Sequence, residues 1–237
     1  MNKTLITLGE PAGIGPDLCV LLSEKHFSKN IIVIADPYLI ESSAKTLKKH
    51  IKLNVLNSID SKTKSGAYTV NVLPIELTAK NIPGKLNPKN AAYVIKTIKT
   101  AALLCLQKKA KAMVTGPISK SVLNDGGYKI SGHTEFLADV CNSKSVMMLM
   151  NSYMKVALHT THVPLQDVAK HITKNSLKKT ISTIHSELKN KFRIKKPKIL
   201  VTGLNPHAGE DGMLGKQDHK IISPAIVELK NSNILVD

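Results

Sequence analysis

The chain has 237 residues, of which 42% are hydrophobic and 22% charged, and it carries a formal net charge of +17. These values are typical of a soluble globular protein with one large or two small domains, and no apolar run approaches the ~20 residues that span a bilayer. Three scattered cysteines, Cys19, Cys105 and Cys141, predict buried reduced thiols rather than disulfides. The amino terminus lacks a signal-peptide pattern, so we predict a cytoplasmic protein without a membrane partner.

The basic charge raises the question of nucleic-acid binding. Arg193 is the one arginine among the 34 lysine and arginine residues, and the lysines are spread along the whole chain. Arginine is the residue that reads base edges and clamps phosphates with two hydrogen bonds. We therefore predict no nucleic-acid partner, while the positive field would help to gather anionic small molecules.

Short apolar runs alternate with helical patterns along the chain. Because strands separated by helices form parallel sheets, this pattern predicts an α/β fold with a largely parallel sheet. The turn at 125–127 predicts two α/β domains, residues 1–125 and 126–237, the second carrying the metal and substrate residues. The predicted strands are 4–8, 31–35, 69–73, 112–115, 145–151, 154–160 and 198–202, and the predicted helices are 16–26, 37–49, 88–110, 164–190 with a break near Thr173, and 218–231.

A glycine-rich bend follows the first strand, in the segment GEPAGIGPD at 9–17. It has the strand, bend and helix of a nucleotide-binding turn, but Gly9, Gly13 and Gly15 do not make G-x-G-x-x-G, and the chain has no G-x-x-x-x-G-K-[ST]. A dinucleotide would therefore bind in another way. We expect the bend to bring Glu10 to the rim of a cleft.

A candidate anion site lies in SGHTEFLAD at 131–139, which follows the strand and bend of AMVTGPISK at 112–120. Unpaired N–H groups at a helix start, joined by a hydroxyl and an imidazole, form a seat for a phosphate or carboxylate. His133 and Thr134 are therefore candidate substrate-binding residues. The alternative, which is compatible with the first, makes Ser131 and Thr134 capping residues and Glu135 part of a capping box.

Two histidines follow predicted strands, His162 in VALHTTHVPL at 156–165 and His207 in LNPHAGEDG at 204–212. Neutral imidazole is a common ligand for zinc and its neighbours, so the pair could converge on one divalent ion; for His207 the alternative is a solvated loop histidine. Catalytic metals usually take three protein ligands, which makes this pair incomplete. His159 is the weaker candidate, because residues three apart on a strand point to opposite faces.

Taken together, these stretches resemble the 4-hydroxythreonine-4-phosphate dehydrogenases of vitamin B6 biosynthesis. The resemblance implies a two-domain fold like that of the isocitrate and isopropylmalate dehydrogenases, with a cleft between the domains, in a homodimer with sites at the subunit interface. It further implies that His133 and Thr134 touch the substrate and that His162 and His207 bind a metal. The matching segments, in family order, are GEPAGIGPDL at 9–18, VTGPISK at 114–120, SGHTEFLAD at 131–139, TTHVPL at 160–165 and GLNPHAGEDG at 203–212.

The reaction that this resemblance implies is oxidation of 4-phosphooxy-L-threonine by NAD or NADP, followed by loss of the carboxylate to give 3-amino-2-oxopropyl phosphate. A divalent zinc, magnesium or cobalt ion would lower the pKa of the substrate hydroxyl. Glu210 could hydrogen-bond to a metal-binding imidazole and so fix the orientation of its ring. The catalytic base is not identified, and Lys120 is only a weak candidate for it.

Family members carry, further along, a Tyr-His-Asp-Gln-Gly-type motif with a third metal histidine and other substrate contacts. The present chain ends at Asp237 without that motif, and His219 lacks its context. We therefore expect a fold that is incomplete at the carboxyl terminus. The alternatives to the main prediction are a threonate or erythronate 4-phosphate dehydrogenase, a phosphate acyltransferase of related fold, and an inactive truncated product.

Overall fold

The computed structural model describes residues 2–25, 29–130 and 132–237. The chain divides into two compact units, Met1–Lys144 and Ser145–Asp237. The domain boundary predicted at 125/126 falls inside the first of these, because the helix that follows it packs against the main helix of the first unit. The predicted α/β class with a central parallel sheet is confirmed.

The first unit is built on a five-stranded sheet with strand order β3-β4-β2-β1-β5. Every neighbouring pair of strands is parallel, so the carboxyl ends of all five strands lie at one edge. The strands are β1 (Thr4–Thr7), β2 (Ile31–Ala35), β3 (Lys52–Val55), β4 (Thr69–Pro74) and β5 (Ala112–Thr115), and the helices are α1 (Gly15–Glu24), α2 (Pro37–Thr46), α3 (Ala91–Leu106), α4 (Lys120–Asp125) and α5 (His133–Val140).

Helices cover both faces of this sheet. Ile32 and Ile34 of β2 belong to an apolar cluster with α3, whereas Val33 and Ala35 belong to a second cluster with α1 and α2. Because successive side chains on a strand point to opposite faces, a strand covered on both sides is apolar throughout. That burial explains why the sequence of β2 does not alternate between apolar and polar residues.

Strand β3 was not predicted. It is an edge strand whose side chains are exposed or half-buried, so its sequence, Lys-Leu-Asn-Val, lacks an apolar run. Asn54 supplies a contact that the pattern could not reveal, since its amide donates to the amide oxygen of Asn71 on β4 at 2.8 Å.

The second unit contains a helical core and two small two-stranded sheets. The helices are α6 (Val168–His171), α7 (Lys174–Asn190) and α8 (Ser223–Asn231), with a π-helical turn at Asp218–Ile222 before α8. The sheets are an antiparallel pair, β6 (Met148–Met150) and β7 (Lys155–Ala157), and a parallel pair, β8 (Lys198–Ile199) and β9 (Leu235–Val236).

Predicted strand lengths in this unit are wrong, and the predicted helix break is confirmed. The run at 198–202 was expected to be a buried strand, but only its first two residues pair, and Leu200 is 82% exposed. Strand β7 ends at Ala157 rather than at 160. Thr173 does separate two helices, because its hydroxyl accepts from the Ser176 backbone at the start of α7.

Within the described ranges, no helix is both long and apolar enough to cross a membrane.

Candidate functional site

The bends that follow β1 and β5 pack backbone against backbone at the carboxyl edge of the first unit's sheet. A Cβ atom on Gly15 would lie 1.8 Å from the carbonyl oxygen of Leu8, and one on Gly116 would lie 2.3 Å from the same oxygen. Gly9 has a φ of +76° and faces the carbonyl of Pro117, to which the next residue's N–H donates. Gly9 and Gly116 therefore let the two bends meet, and Gly15 lets the start of α1 pack against Leu8, rather than opening space for a ligand.

Glu10 lies within this packed region. Its side chain is 7% exposed, and its carboxylate accepts a hydrogen bond from the Ala12 N–H at 3.2 Å. Burial raises the pKa of the Glu10 carboxyl, against the smaller opposite effect of that hydrogen bond. We expected Glu10 at the rim of a cleft, and the structure instead buries it inside its own bend.

His133 and Thr134 lie in the first turn of α5, where the sequence placed them. The cap of this helix is Gly132, and no side chain makes a capping hydrogen bond there, so Thr134 and Glu135 do not form the capping arrangement of the alternative interpretation. Ser131, also part of that interpretation, lies outside the described residues. The backbone N–H groups of this turn therefore have no side-chain acceptor in the described part of the chain.

The side chains around this helix start are suited to binding an anion. The Nε2 atom of His133 is buried without a hydrogen-bond partner among the described residues, and burial lowers the pKa of the imidazole. The side chain of Lys120 reaches the same place, since a Cβ on Gly132 would lie 3.5 Å from its Nζ and 3.3 Å from Oε2 of Glu135. An imidazole, an ammonium group and N–H donors without a side-chain acceptor among the described residues thus surround the start of α5. The Glu135 carboxylate lies beside them, and its negative charge opposes an anion there unless Lys120 neutralises it.

His207 lies on a loop that folds on itself. The Asn205 side chain accepts from the His207 N–H at 2.9 Å, and its backbone carbonyl accepts from Ala208 at 2.8 Å. The imidazole is exposed, with its Nδ1 atom 3.4 Å from Oε1 of Glu210. A carboxylate near one ring nitrogen leaves the other free for a ligand, which is the arrangement typical of metal-binding histidines.

His162 follows the β6–β7 hairpin on an exposed segment, and its φ of +56° places it in the left-handed region. It lies beyond the end of β7 rather than at a strand-to-loop junction. Among the described residues no group of three histidine, cysteine or acidic side chains could hold a metal. Two imidazoles are suitable donors for zinc or cobalt, so His162 and His207 fit a metal by donor type, and their convergence on one ion stays a prediction.

His159 has a different role from the one weighed for it in the sequence. Its Nδ1 atom lies 3.1 Å from the hydroxyl of Thr180, and its Nε2 atom lies 3.2 Å from the hydroxyl of Ser176. Both hydroxyls come from α7, one turn apart, so they fall on one face of that helix. With both ring nitrogens engaged, His159 ties its segment to α7 and is not available as a metal ligand in this conformation.

The comparisons with known proteins agree on one family. The family model described as "Pyridoxal phosphate biosynthetic protein PdxA" matches residues 27–237. A 4-hydroxythreonine-4-phosphate dehydrogenase from Methylococcus capsulatus is 44% identical over 98% of this chain and 70% of its own length, and one from Vibrio vulnificus is 41% identical over 97% and 70%. The crystal structure of the Klebsiella pneumoniae enzyme of that name superposes with a TM-score of 0.90 at 25% identity, covering 100% of this chain and 74% of the other.

Proposed function

The chain belongs to the PdxA family of pyridoxal phosphate biosynthetic proteins, and on that premise we propose that it is a 4-hydroxythreonine-4-phosphate dehydrogenase. The substrate is 4-phosphooxy-L-threonine, and NAD or NADP accepts the hydride. The observation that carries this proposal is the 44% identity to a dehydrogenase of that name over 98% of the chain.

The reaction has two stages. In the first, the secondary alcohol loses a proton and a hydride, the hydride reduces the nicotinamide, and 2-amino-3-oxo-4-(phosphooxy)butanoate forms. In the second, the carboxylate leaves as carbon dioxide and the carbon that held it takes up a proton, giving 3-amino-2-oxopropyl phosphate. The first stage needs removal of the hydroxyl proton so that the oxygen can expel hydride, and the second is helped by an electron-withdrawing partner at the new carbonyl oxygen.

His133 and Thr134 are assigned to the substrate, and they contact its phosphate. A phosphate at the start of α5 would accept from the N–H groups of the first turn and from the Thr134 hydroxyl. The lowered pKa of His133 keeps its imidazole neutral near neutral pH, so it would donate a hydrogen bond rather than supply charge. Lys120 brings a positive charge to the same place.

His162 and His207 are assigned to a divalent metal ion, zinc, magnesium or cobalt. Such an ion, when bound, lowers the pKa of the substrate hydroxyl and polarises the carbonyl that replaces it. The Glu210 carboxylate beside Nδ1 of His207 favours the tautomer with the proton on Nδ1, which would leave the lone pair of Nε2 available to bind a metal.

A second copy of the chain is the proposed partner. The β6–β7 hairpin exposes Leu149, Met150 and Met154, each more than half exposed, and an apolar antiparallel hairpin of this kind is typically covered in an assembly. We propose that the homodimer uses this surface and that the enzyme works in the cytoplasm. Light scattering on the purified chain measures the oligomeric state directly.

The test is an assay of the purified 237-residue chain with 4-phosphooxy-L-threonine, NAD⁺ or NADP⁺, and added Zn²⁺, Mg²⁺ or Co²⁺, in which reduced nicotinamide is followed by absorbance. His162→Ala and His207→Ala should each weaken Co²⁺ binding by at least roughly 10–100-fold. Thr134→Ala should weaken binding of the phosphorylated substrate more than that of the nucleotide.

His50→Ala is the matched control for the histidine variants, since His50 is an exposed histidine of the other unit and should leave Co²⁺ affinity unchanged. Erythronate 4-phosphate serves as the competing substrate, and faster turnover of it would favour the sister dehydrogenase. Co²⁺ affinity that survives both histidine substitutions would contradict the metal assignment. Equal loss of substrate and nucleotide binding in Thr134→Ala would contradict the phosphate assignment.

A further inference from the structure

Residues 203–215, here called the His207 loop, are closed by hydrogen bonds within the loop. The Leu214 N–H donates to the carbonyl of Gly209 at 3.0 Å, and the Asn205 amide donates to the carbonyl of Leu214 at 3.4 Å. These bonds fix the shape of the loop, but they do not attach it to the rest of its unit. An exposed histidine on such a loop is placed accurately only if a further contact holds the loop as a whole.

Asp218 makes such a contact. It is only 8% exposed, and its Oδ1 atom accepts from the Leu204 N–H at 3.0 Å. The carboxylate lies against loop backbone on two sides, because a Cβ on Gly203 would be 3.0 Å from Oδ1 and one on Gly209 would be 3.9 Å from Oδ2. The loop therefore wraps around the carboxylate, and a side chain at Gly203 would push against it.

The backbone of Asp218 is itself firmly held. Its carbonyl accepts from the Ser223 N–H, which forms the π-helical turn at the start of α8. Ile222 at the end of that turn is buried in the core of the unit, and Leu204 packs against the same core. Single π-helical turns are rare and are frequently found at functional sites, so this one is consistent with a positioning role for Asp218.

We propose that Asp218 is the positioning residue of His207. Its carboxylate connects the core of the second unit to the His207 loop and sets where the imidazole stands. This proposal rests on the proposed function only in giving His207 a metal to bind. Asp218 itself touches neither the metal nor the substrate in this scheme.

The experiment compares Asp218→Ala, which removes the acceptor, with Asp218→Asn, which keeps an oxygen where Oδ1 lies. Three properties are measured on the 237-residue chain: hydrogen exchange of the Leu204 amide, the ring resonances of ¹³C-labelled His207 at one fixed pH, and Co²⁺ affinity by its visible absorption. Ile181→Val, a mild change in the same core, is the matched control for general loss of stability.

In Asp218→Ala, exchange at Leu204 should accelerate by about tenfold or more, as expected for loss of a hydrogen bond to a charged acceptor. The His207 resonances should shift or broaden, and Co²⁺ affinity should fall roughly 10–100-fold, the effect typical of a group that orients a metal ligand. Asp218→Asn should restore most of each property, and Ile181→Val should change none of them.

Unchanged exchange at Leu204 and unchanged His207 resonances in Asp218→Ala would overturn the proposal, as would the same changes in Ile181→Val. Failure of the unsubstituted chain to bind Co²⁺ is a separate result that would count against the proposed metal site. In that case the exchange and resonance measurements would still decide whether Asp218 positions His207.

Discussion

Removing the imidazole of His159 tests whether this residue anchors its segment to α7 or binds the metal. His159→Ala deletes two hydrogen bonds, to the hydroxyls of Thr180 and Ser176, at 3.1 and 3.2 Å. Each neutral hydrogen bond contributes about 0.5–1.5 kcal/mol to stability. Ser176 keeps other partners, including the backbone N–H of Thr173, so little further cost arises from stranded groups. We therefore expect His159→Ala to lower the free energy of unfolding by about 1–3 kcal/mol.

For a chain of this size, a loss of 1 kcal/mol lowers the midpoint of thermal unfolding by about 2–4 °C, so the expected shift is about 2–12 °C. Thermal unfolding followed by circular dichroism measures it, and a Co²⁺ titration of the same sample measures metal affinity. Affinity should stay near that of the unsubstituted chain, in contrast to His162→Ala. The reason is that His159 holds its segment from the side of α7 and offers no free nitrogen.

Thr180→Val is the matched partial change, since it removes one hydroxyl and keeps the shape of the side chain. In a double-mutant cycle, His159→Ala and Thr180→Val should be less than additive, because both delete the same hydrogen bond. A large loss of Co²⁺ affinity in His159→Ala with an unchanged unfolding midpoint would refute the reasoning. It would make His159 the third imidazole of the metal site.

Two further predictions concern the bend after β1. Gly15→Ala should lower the free energy of unfolding by about 1–3 kcal/mol, because its Cβ would lie 1.8 Å from the Leu8 carbonyl oxygen. Gly13→Ala should lower it much less, because the nearest atom to a Cβ there is 3.2 Å away. Equal unfolding midpoints for the two variants would contradict this packing. Glu10→Gln should raise stability at neutral pH but not in acid. Burial raises the folded-state pKa of Glu10 above its ordinary value of 4.5, so the native state loses stability as the pH rises from the unfolded pKa to the folded one. A stability difference that is the same at every pH would contradict this.

The sequence predicted element bounds correctly where a local apolar pattern coincides with burial in the sheet. Strands β2 and β5 were predicted with their observed bounds. In the second unit a similar apolar run, residues 198–202, led to a wrong prediction of a buried strand, because Leu200 is exposed rather than covered by a neighbouring strand. An apolar run shows that a segment is able to be buried, and only its neighbours decide whether it is.

The candidate site residues also include some that the sequence predicted and one that it missed. His133 and Thr134 were placed at a helix start because helix starts have local sequence signals, and the structure puts both in the first turn of α5. Asp218 was missed, since it acts on Leu204 through a hydrogen bond that spans 14 positions. A carboxylate in the first turn of a predicted helix looks like an ordinary partner of the helix dipole, and nothing in its spacing indicates the loop that it holds.

A positive φ occurs at His162 and just after His207, and also at six other non-glycine residues of the described chain. His162 has a φ of +56°, and the residues that follow His207, Ala208 and Glu210, have φ values of +48° and +40°. For a residue with a Cβ atom this conformation costs on the order of 1 kcal/mol or more, and such costs are concentrated at binding and catalytic sites. Both imidazoles stand on exposed segments, and the backbone beside His207 is held by hydrogen bonds from Ala208 to Asn205 and from Glu210 to His207. The same conformation at Lys48 and Tyr68, which have no proposed role, shows that a positive φ does not by itself mark a site. The proposed metal assignment of His162 and His207 therefore depends on the donor chemistry of their imidazoles.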